Sequence, residues 1–314
     1  MQVFRGFPEQ AKEACVLTIG NFDGLHRGHQ ALLKQLTDKA GALGVPAVVL
    51  TFEPHPREYF APDKAPARLA SLREKLQLLA TSGDDRVHVC RFDARFSAQS
   101  ASSFIEDVLV KGLAVRHLFI GDDFRFGAGR KGDFAMLQAA GRDFGFGVES
   151  MPTLAVAGER ASSSAVRSAL ADGDLEHAAQ LLGRPYSIAG RVVHGDKIGR
   201  QLGFPTLNIQ LKHRRPPLSG VFAVSVEGLE GGRLAGVANV GVRPTATDAG
   251  RARLEVHLLN WSGDCYGAHP RIHFLLKIRD EMKFASLDEL KTQIARDADT
   301  ARDWFALNPN CLLG

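Results

Sequence analysis

Thr18-Ile19-Gly20-Asn21-Phe22-Asp23-Gly24-Leu25-His26-Arg27-Gly28-His29 is the stretch whose reading decides the fold of the first half of the chain. It follows an apolar run, Cys15 to Ile19, and leads into Gln30 to Leu43, where apolar residues recur three and four apart as on an amphipathic helix. A glycine-bearing turn between a strand and a helix is where open α/β sheets bind ligands. Gly20 and Gly24 let the backbone approach a phosphate closely, and the helix N-terminus turns free N–H donors on an anion. His26 and His29 stand three apart, so on a first helical turn their rings share a face. There they are placed to clamp charge developing on an attacked phosphate. A bare pair of histidines near a helix start is usually a surface feature; strand, glycines, spacing and helix coinciding reverse that preference.

Outward from this stretch the alternation continues. Ala47 to Phe52, Val87 to Cys90 and His117 to Ile120 read as further buried strands, and Leu69 to Ala80 as another amphipathic helix, the pattern of a parallel sheet with crossover helices. The second half changes period. Val221, Ala223 and Ser225 alternate with Phe222, Val224 and Val226, and Leu254, Val256 and Leu258 alternate with Glu255, His257 and Leu259, between Gly- and Pro-rich turns. That predicts an antiparallel sheet or small barrel, with a last strand near Ile272 to Ile278. Ser286 to Ala306 reads as one closing helix, with Ser286 as N-cap and Glu289 completing a capping box. The helix ending over Ala178 to Leu182 meets Gly183 and Pro185, both helix stops, which places a domain boundary between residues 183 and 184.

Bulk properties agree with two domains. The chain has 314 residues, 45% hydrophobic and 24% charged, as in ordinary globular proteins. The net charge of +4 contains one dense cluster, Lys212 to Arg215, without interleaved aromatics, so a solvated loop is preferred to a nucleic-acid contact. Cys15, Cys90, Cys265 and Cys311 form no C-x-x-C pair and suit a reducing compartment. The N-terminus lacks a signal-peptide core and no apolar run reaches membrane-spanning length, so a soluble cytoplasmic protein is expected.

A second chemical stretch runs from Gly190 to Asn208. Gly195, Gly199 and Gly203, with Lys197 and Arg200 between them, make a cationic glycine-rich loop suited to phosphates. Pro205 pre-sets the backbone, and Thr206 and Asn208, two apart in an extended chain, project to one side. A hydroxyl and an amide oxygen are hard ligands that suit Mg2+. Alone, this segment reads equally well as a glycine-rich hairpin. Gly127-Ala128-Gly129-Arg130-Lys131-Gly132 fits a dinucleotide fingerprint, but six residues separate it from Ile120, so an NAD site is rejected. No P-loop motif occurs.

Gly20-x-Phe22-Asp23-Gly24-x-His26-x-Gly28-His29 resembles the nucleotidyltransferase signature, and in this extended form the chain resembles the bacterial bifunctional riboflavin kinase/FAD synthetase family. Thr51-Phe52-Glu53-Pro54-His55-Pro56, Gly121 to Gly127, Ser162 to Arg167 and Gly203-Phe204-Pro205-Thr206-x-Asn208 follow in family order. Gly241 to Thr245, Asp264 to Gly267 and Ile278 to Phe284 complete the match, which spans about Val16 to about Arg302. Ala161, Ser164 and Leu207 depart mildly from the family pattern.

The resemblance implies a Rossmann-like adenylyltransferase domain over 1–183 and a small flavokinase barrel with a closing helix over 184–314. It implies riboflavin, FMN and ATP as substrates and Mg2+ with the ATP. ATP of the first site would meet Gly20, Phe22, Asp23, Gly24, His26, His29, Ser162, Ser163, Ser164 and Arg167, and flavin would meet Phe52, His55, Pro56, Asp123 and Phe124. In the second, ATP would meet Gly195, Lys197, Gly199, Gly203, Phe204, Pro205, Thr206 and Asn208, with Thr206 and Asn208 holding the metal. His26, His29 and Glu255 would be catalytic, Glu255 as general base, and Arg279 would shape the flavin or nucleotide pocket, a structural salt bridge serving equally well as its explanation. A single retained activity and a non-catalytic flavin carrier are the alternatives, and both sets of site residues are present.

Overall fold

The computed structural model describes residues 1–151, 154–156, 158–195, 198–211, 215–242 and 252–312. Lys197, the Lys212 to Arg214 part of the basic cluster and the Arg243-Pro244-Thr245 motif lie outside them. Two compact units emerge: Met1–Pro66 with Leu72–Ser162, and Ser163–Gly314 with Ala67–Ser71.

The first unit is built on a six-stranded sheet, every neighbouring pair parallel. Its strands are β1 (Gln2–Arg5), β2 (Cys15–Ile19), β3 (Ala47–Glu53), β4 (Arg86–Arg91), β5 (Val115–Gly121) and β6 (Gly147–Met151), in the order β1-β4-β3-β2-β5-β6. Helices α1 (Arg27–Leu43), α2 (Pro56–Phe60) and α3 (Leu72–Ala80) follow β2 and β3. The turns α4 (Ala94–Ser97) and α5 (Ala101–Ser103) lead into a π-helical stretch, Phe104–Gly112, and α6 (Phe134–Phe144) precedes β6. A small hairpin, β7 (Ala155–Val156) and β8 (Glu159–Arg160), closes the unit.

Because a parallel sheet is covered on both faces, its central strands are apolar throughout. All five residues of β2 are buried. Successive residues serve opposite cores: Val16, Val49 and Phe119 join Leu33 and Leu36 of α1, while Leu17, Leu50 and Leu118 join Leu109 and Leu137. The chain moves outward from β2 through β3 to β4 and then returns to the other side of β2 as β5. The switch point therefore lies at the carboxyl ends of β2 and β5, where the loops after Ile19 and Gly121 emerge.

The second unit opens with α7 (Ser163–Asp172) and α8 (Leu175–Leu182), which Gly183 ends in the left-handed conformation at φ 73°. Next come β9 (Ser187–Ala189), β10 (Val192–Val193), the short α9 (Ile198–Gln201) and β11 (Leu207–Ile209). The long strands β12 (Gly220–Leu229), β13 (Gly232–Val242), β14 (Ala252–Leu258) and β15 (Arg271–Arg279) complete a curled antiparallel sheet in the order β10-β11-β14-β13-β12-β15-β9. Helix α10 (Leu287–Leu307) closes it. β12 is buried on both faces because Ala223 packs under Ala298, Ala301 and Phe305 of α10 while Phe222 and Val224 face the other way. Ser286 accepts from the Glu289 amide as its N-cap. The Glu289 carboxylate, however, accepts from the Ala285 amide at 3.0 Å instead of from Ser286, so the expected capping box is shifted by one residue.

Among the described residues no helix is long and apolar enough to cross a membrane. The Gly127 to Gly132 run leads through a bridge between Phe126 and Gly132 into α6, away from any strand end, in keeping with the rejected dinucleotide reading.

One buried charge in the first unit has a stability consequence. Asp84 is 3% exposed and neither carboxylate oxygen has a hydrogen-bond partner in the structure. Burial, then the neighbouring Asp85 carboxylate, pushes its pKa up to about 7. A carboxyl whose folded pKa lies above its unfolded value contributes stability below the unfolded pKa and loses it as pH rises towards the folded one. Asp84→Asn is therefore expected to raise the unfolding midpoint, with a gain that grows between about pH 4 and pH 7 and levels off above, read by thermal melts across that range.

Candidate active sites

In the first unit the loop after β2 is held in a tightly determined conformation. Phe22 and Leu25 sit at positive φ, 48° and 44°, around Gly24 at 79°. L-residues rarely adopt such angles unless the surroundings fix them, and here Phe22 and Leu25 are anchored in the core beside α1. α1 begins at Arg27, so His26 is its N-cap and not part of its first turn. His26 Nδ1 accepts from the His29 amide at 3.4 Å. An acceptor Nδ1 puts the ring proton on Nε2. The two imidazoles stack with centroids 3.7 Å apart and planes 24° apart, and Phe22 packs on His29 at 5.0 Å. A methyl at Gly28 would press on His26 Nδ1 at 3.1 Å and on the Ala161 carbonyl at 3.2 Å, which explains the glycine between the histidines.

His29 Nδ1 is buried without a partner in the structure. Burial first, then His26 and then Lys75 hold its pKa well below the usual histidine value, so the ring is neutral at physiological pH. Lys75 was not singled out in the sequence. It is 4% exposed, and its Nζ donates to Thr51 Oγ1 at 3.3 Å, while Thr51 Oγ1 donates to the Asn21 carbonyl at 3.3 Å. A buried cation thereby ties α3 to the loop. Its signal was its position four residues before Leu79, on the buried face of α3.

The residues expected to meet flavin have structural partners of their own. His55 caps α2, accepting from the Arg57 amide, and Pro56 takes the first helical position. Phe52 lies in an aromatic cluster with Phe92 and Phe96, and Phe124 stacks on Phe126 at 5.7 Å. Arg160 of β8, also missed, reaches Asp122 at 3.1 Å and Asp123 at 3.8 Å. Ser162 ends this unit; Ser163, Ser164 and Arg167 start α7 in the other. There Arg167 Nε donates to the Ala67 carbonyl at 2.6 Å.

In the second unit a cavity of about 340 Å³ is lined by Gly199, Phe204, Thr206, Asn208, Glu255 and Arg279, among others. Register explains the convergence. Asn208 pairs with Glu255, Glu255 with Asn239, Asn239 with Val221 and Val221 with Arg279, one row crossing five strands. All five line the cavity. Along β14, Arg253, Glu255 and His257 face it while Leu254 and Val256 are buried behind. His257 Nδ1 donates to the Pro205 carbonyl at 2.9 Å, fastening the extended segment before β11. Any side chain at Gly195 would collide with the Asn208 carboxamide, so this glycine is required by close approach. Gly199 and Gly203 hold the loop turn, Phe204 donating to the Gly199 carbonyl at 2.7 Å and Gly203 to Arg200 at 3.2 Å.

Arg279 is engaged by a bidentate pair to Asp297 of α10, at 2.7 to 3.1 Å, with Gln293 donating to the same carboxylate at 2.8 Å. Arg279 thus forms a salt bridge and also lines the cavity. Asp297, 3% exposed, and Asn239 were missed, because neither belongs to a recognisable motif. Thr206 Oγ1 and the Asn208 amide oxygen are hard donors on one face beside the Glu255 carboxylate, a set that fits magnesium.

The depressed pKa of His29 has a direct readout. Its imidazole 15N shifts are expected to remain those of a neutral ring well below ~6.5, where an unperturbed histidine titrates. Because the folded pKa is the lower one, the unfolding midpoint should fall as pH drops below that unfolded value.

Two family models match this chain: FAD synthetase over residues 8–165 and riboflavin kinase over 182–305. Bifunctional riboflavin kinase/FMN adenylyltransferases of Escherichia coli K12 and Pseudomonas fluorescens are 54% and 52% identical to it. The matches cover 98% and 96% of this chain and 99% and 97% of those proteins. A crystal structure from Streptococcus pneumoniae, described as a macrolide-efflux protein, superposes with a TM-score of 0.82 at 29% identity, covering 97% of this chain and 100% of that one. With an adenylyltransferase-type loop at the switch point of its parallel sheet and a hard-ligand cavity in its antiparallel sheet, the chain belongs to the bifunctional riboflavin kinase/FAD synthetase family.

Proposed function

We propose that this protein phosphorylates riboflavin to FMN in its C-terminal half, residues 184–314, and adenylates FMN to FAD in its N-terminal half, residues 1–183, consuming ATP at both steps. The observation that carries the reading is the completeness of both constellations: the stacked imidazoles at the start of α1, and Thr206, Asn208 and Glu255 facing one cavity.

For the kinase step, the 5′-hydroxyl of riboflavin attacks the γ-phosphorus of ATP, the bond to the β,γ-bridging oxygen breaks and ADP leaves. Glu255 takes the hydroxyl proton. Thr206 and Asn208 would hold Mg2+, which when bound with ATP supplies charge neutralisation on the phosphate oxygens. The backbone of Gly195, Gly199 and Gly203, with Lys197, Phe204 and Pro205, forms the phosphate loop. Arg279, locked by Asp297, walls the flavin side.

For the adenylyl step, a phosphate oxygen of FMN attacks the α-phosphorus of ATP and pyrophosphate leaves. The ring N–H donors of His26 and His29 stabilise the developing charge, and the neutral His29 ring does so without the desolvation cost of a buried cation. The backbone of Gly20, Phe22, Asp23 and Gly24 lines the nucleotide, Ser162, Ser163, Ser164 and Arg167 add phosphate contacts, and Phe52, His55, Pro56, Asp123 and Phe124 receive the flavin. The partners are small molecules, and four free cysteines suit a cytoplasmic location.

Incubation with riboflavin and Mg-ATP, followed by chromatography, should yield FMN and then FAD. His29→Ala is expected to lower FAD formation by about 10²-fold or more while FMN formation persists. Loss of both products together, in a folded variant, would contradict the division of labour.

A further inference from the structure

We propose that Asn239 is a positioning residue for the Glu255 carboxylate. The inference deepens the kinase reading above and rests on it.

Glu255 has two cross-strand neighbours in register, Asn208 on β11 and Asn239 on β13, and both carboxamides line the same cavity as the carboxylate. Directly opposed residues of an antiparallel pair have Cβ atoms about 4.5–5.5 Å apart, within reach of a hydrogen bond between these side chains. The Asn208 amide packs against the backbone of Gly195, and Asn208 is the residue suited to the metal. Asn239 is not so held. It is exposed and lines the cavity as the eighth residue of an eleven-residue strand, while Ala238 and Val240 on either side are buried. Asparagine is among the poorer strand formers, so an asparagine at this position calls for a local reason. A neutral N–H donor to one carboxylate oxygen supplies one: it fixes the rotamer and leaves the other oxygen to accept the substrate proton. A cation there would hold the carboxylate more firmly and make it a weaker base.

The other charged and titratable groups around Glu255 are Arg253 and His257 on β14, and Glu281, Arg279 and Asp297 on the cavity's remaining walls. Arg279 and Asp297 neutralise each other in their bidentate pair, and His257 is bound to the Pro205 carbonyl. Across the strands, Asn239 is the neutral donor facing the base from β13.

The test uses the full chain. The kcat and KM of FMN formation are measured for Asn239→Ala, Asn239→Ser and Asn239→Asp, with FAD formation from supplied FMN as the internal control for folding. Losing a hydrogen bond to a charged group should lower kcat for FMN formation about 10- to 100-fold, with KM for ATP little changed. Asn239→Ser should restore part of the rate lost in Asn239→Ala, and Asn239→Asp, which brings no N–H donor, should not. In a Glu255→Gln background, Asn239→Ala should add nothing. Wild-type kcat in Asn239→Ala, with Glu255→Gln inactive, would overturn the positioning role alone. An active Glu255→Gln would overturn the kinase reading beneath it.

Discussion

The pairing of β11, β14 and β13 is the constraint on which the second site depends. Side chains alternate strictly along a strand, so register decides which residues share a face, and a slip of one position would carry every one of them to the opposite side. Here the register places Asn208, Glu255 and Asn239 in line while Leu254, Val256, Ala238 and Val240 form the apolar backing. The backing enforces the alignment: moving Glu255 inward would bury a carboxylate among aliphatic side chains, at a cost several times that of one lost hydrogen bond. Packing on one face thus specifies chemistry on the other.

The first site is fixed differently. Its loop belongs to no ladder, and its conformation comes from anchoring Phe22 and Leu25 in the core, from two backbone positions that only those anchors stabilise, and from the cap that His26 makes on α1. The cap does two jobs at once. It satisfies a free N–H at the helix start, and it sets the proton on Nε2 of a ring stacked against its partner. Lys75 braces the loop from behind through Thr51. Burial, with His26 and Lys75 as neighbours, keeps the His29 imidazole neutral.

Much of this was legible in the sequence, for identifiable reasons. The β2 strand was readable from its unbroken apolar run, α1 from its period, Ser286 from its capping chemistry, and the alternation Arg253, Glu255, His257 from strand period two. Contacts set by register were not readable: Asn239 carries no motif, and only pairing shows that it faces Glu255. Lys75, Arg160 and Asp297 were missed because charge usually marks a solvated face, whereas here partners brought by the fold make burial affordable for two of them. His26 was read as part of a first helical turn, since spacing alone does not separate an N-cap from the residues that follow it. The π-helical stretch at Phe104–Gly112 and the edge strand β1 have no local signature strong enough to be seen without their neighbours.

The most direct test of the aligned row is a crystal structure of the full chain with ADP, Mg2+ and FMN. The account predicts the ribityl 5′-oxygen of FMN within about 2.6–3.2 Å of the Glu255 carboxylate, with the Asn208 amide oxygen and Thr206 hydroxyl turned to the metal. An FMN phosphate seated in the cavity of the second unit with its 5′-oxygen beyond reach of Glu255, and the metal held by other residues, would contradict it.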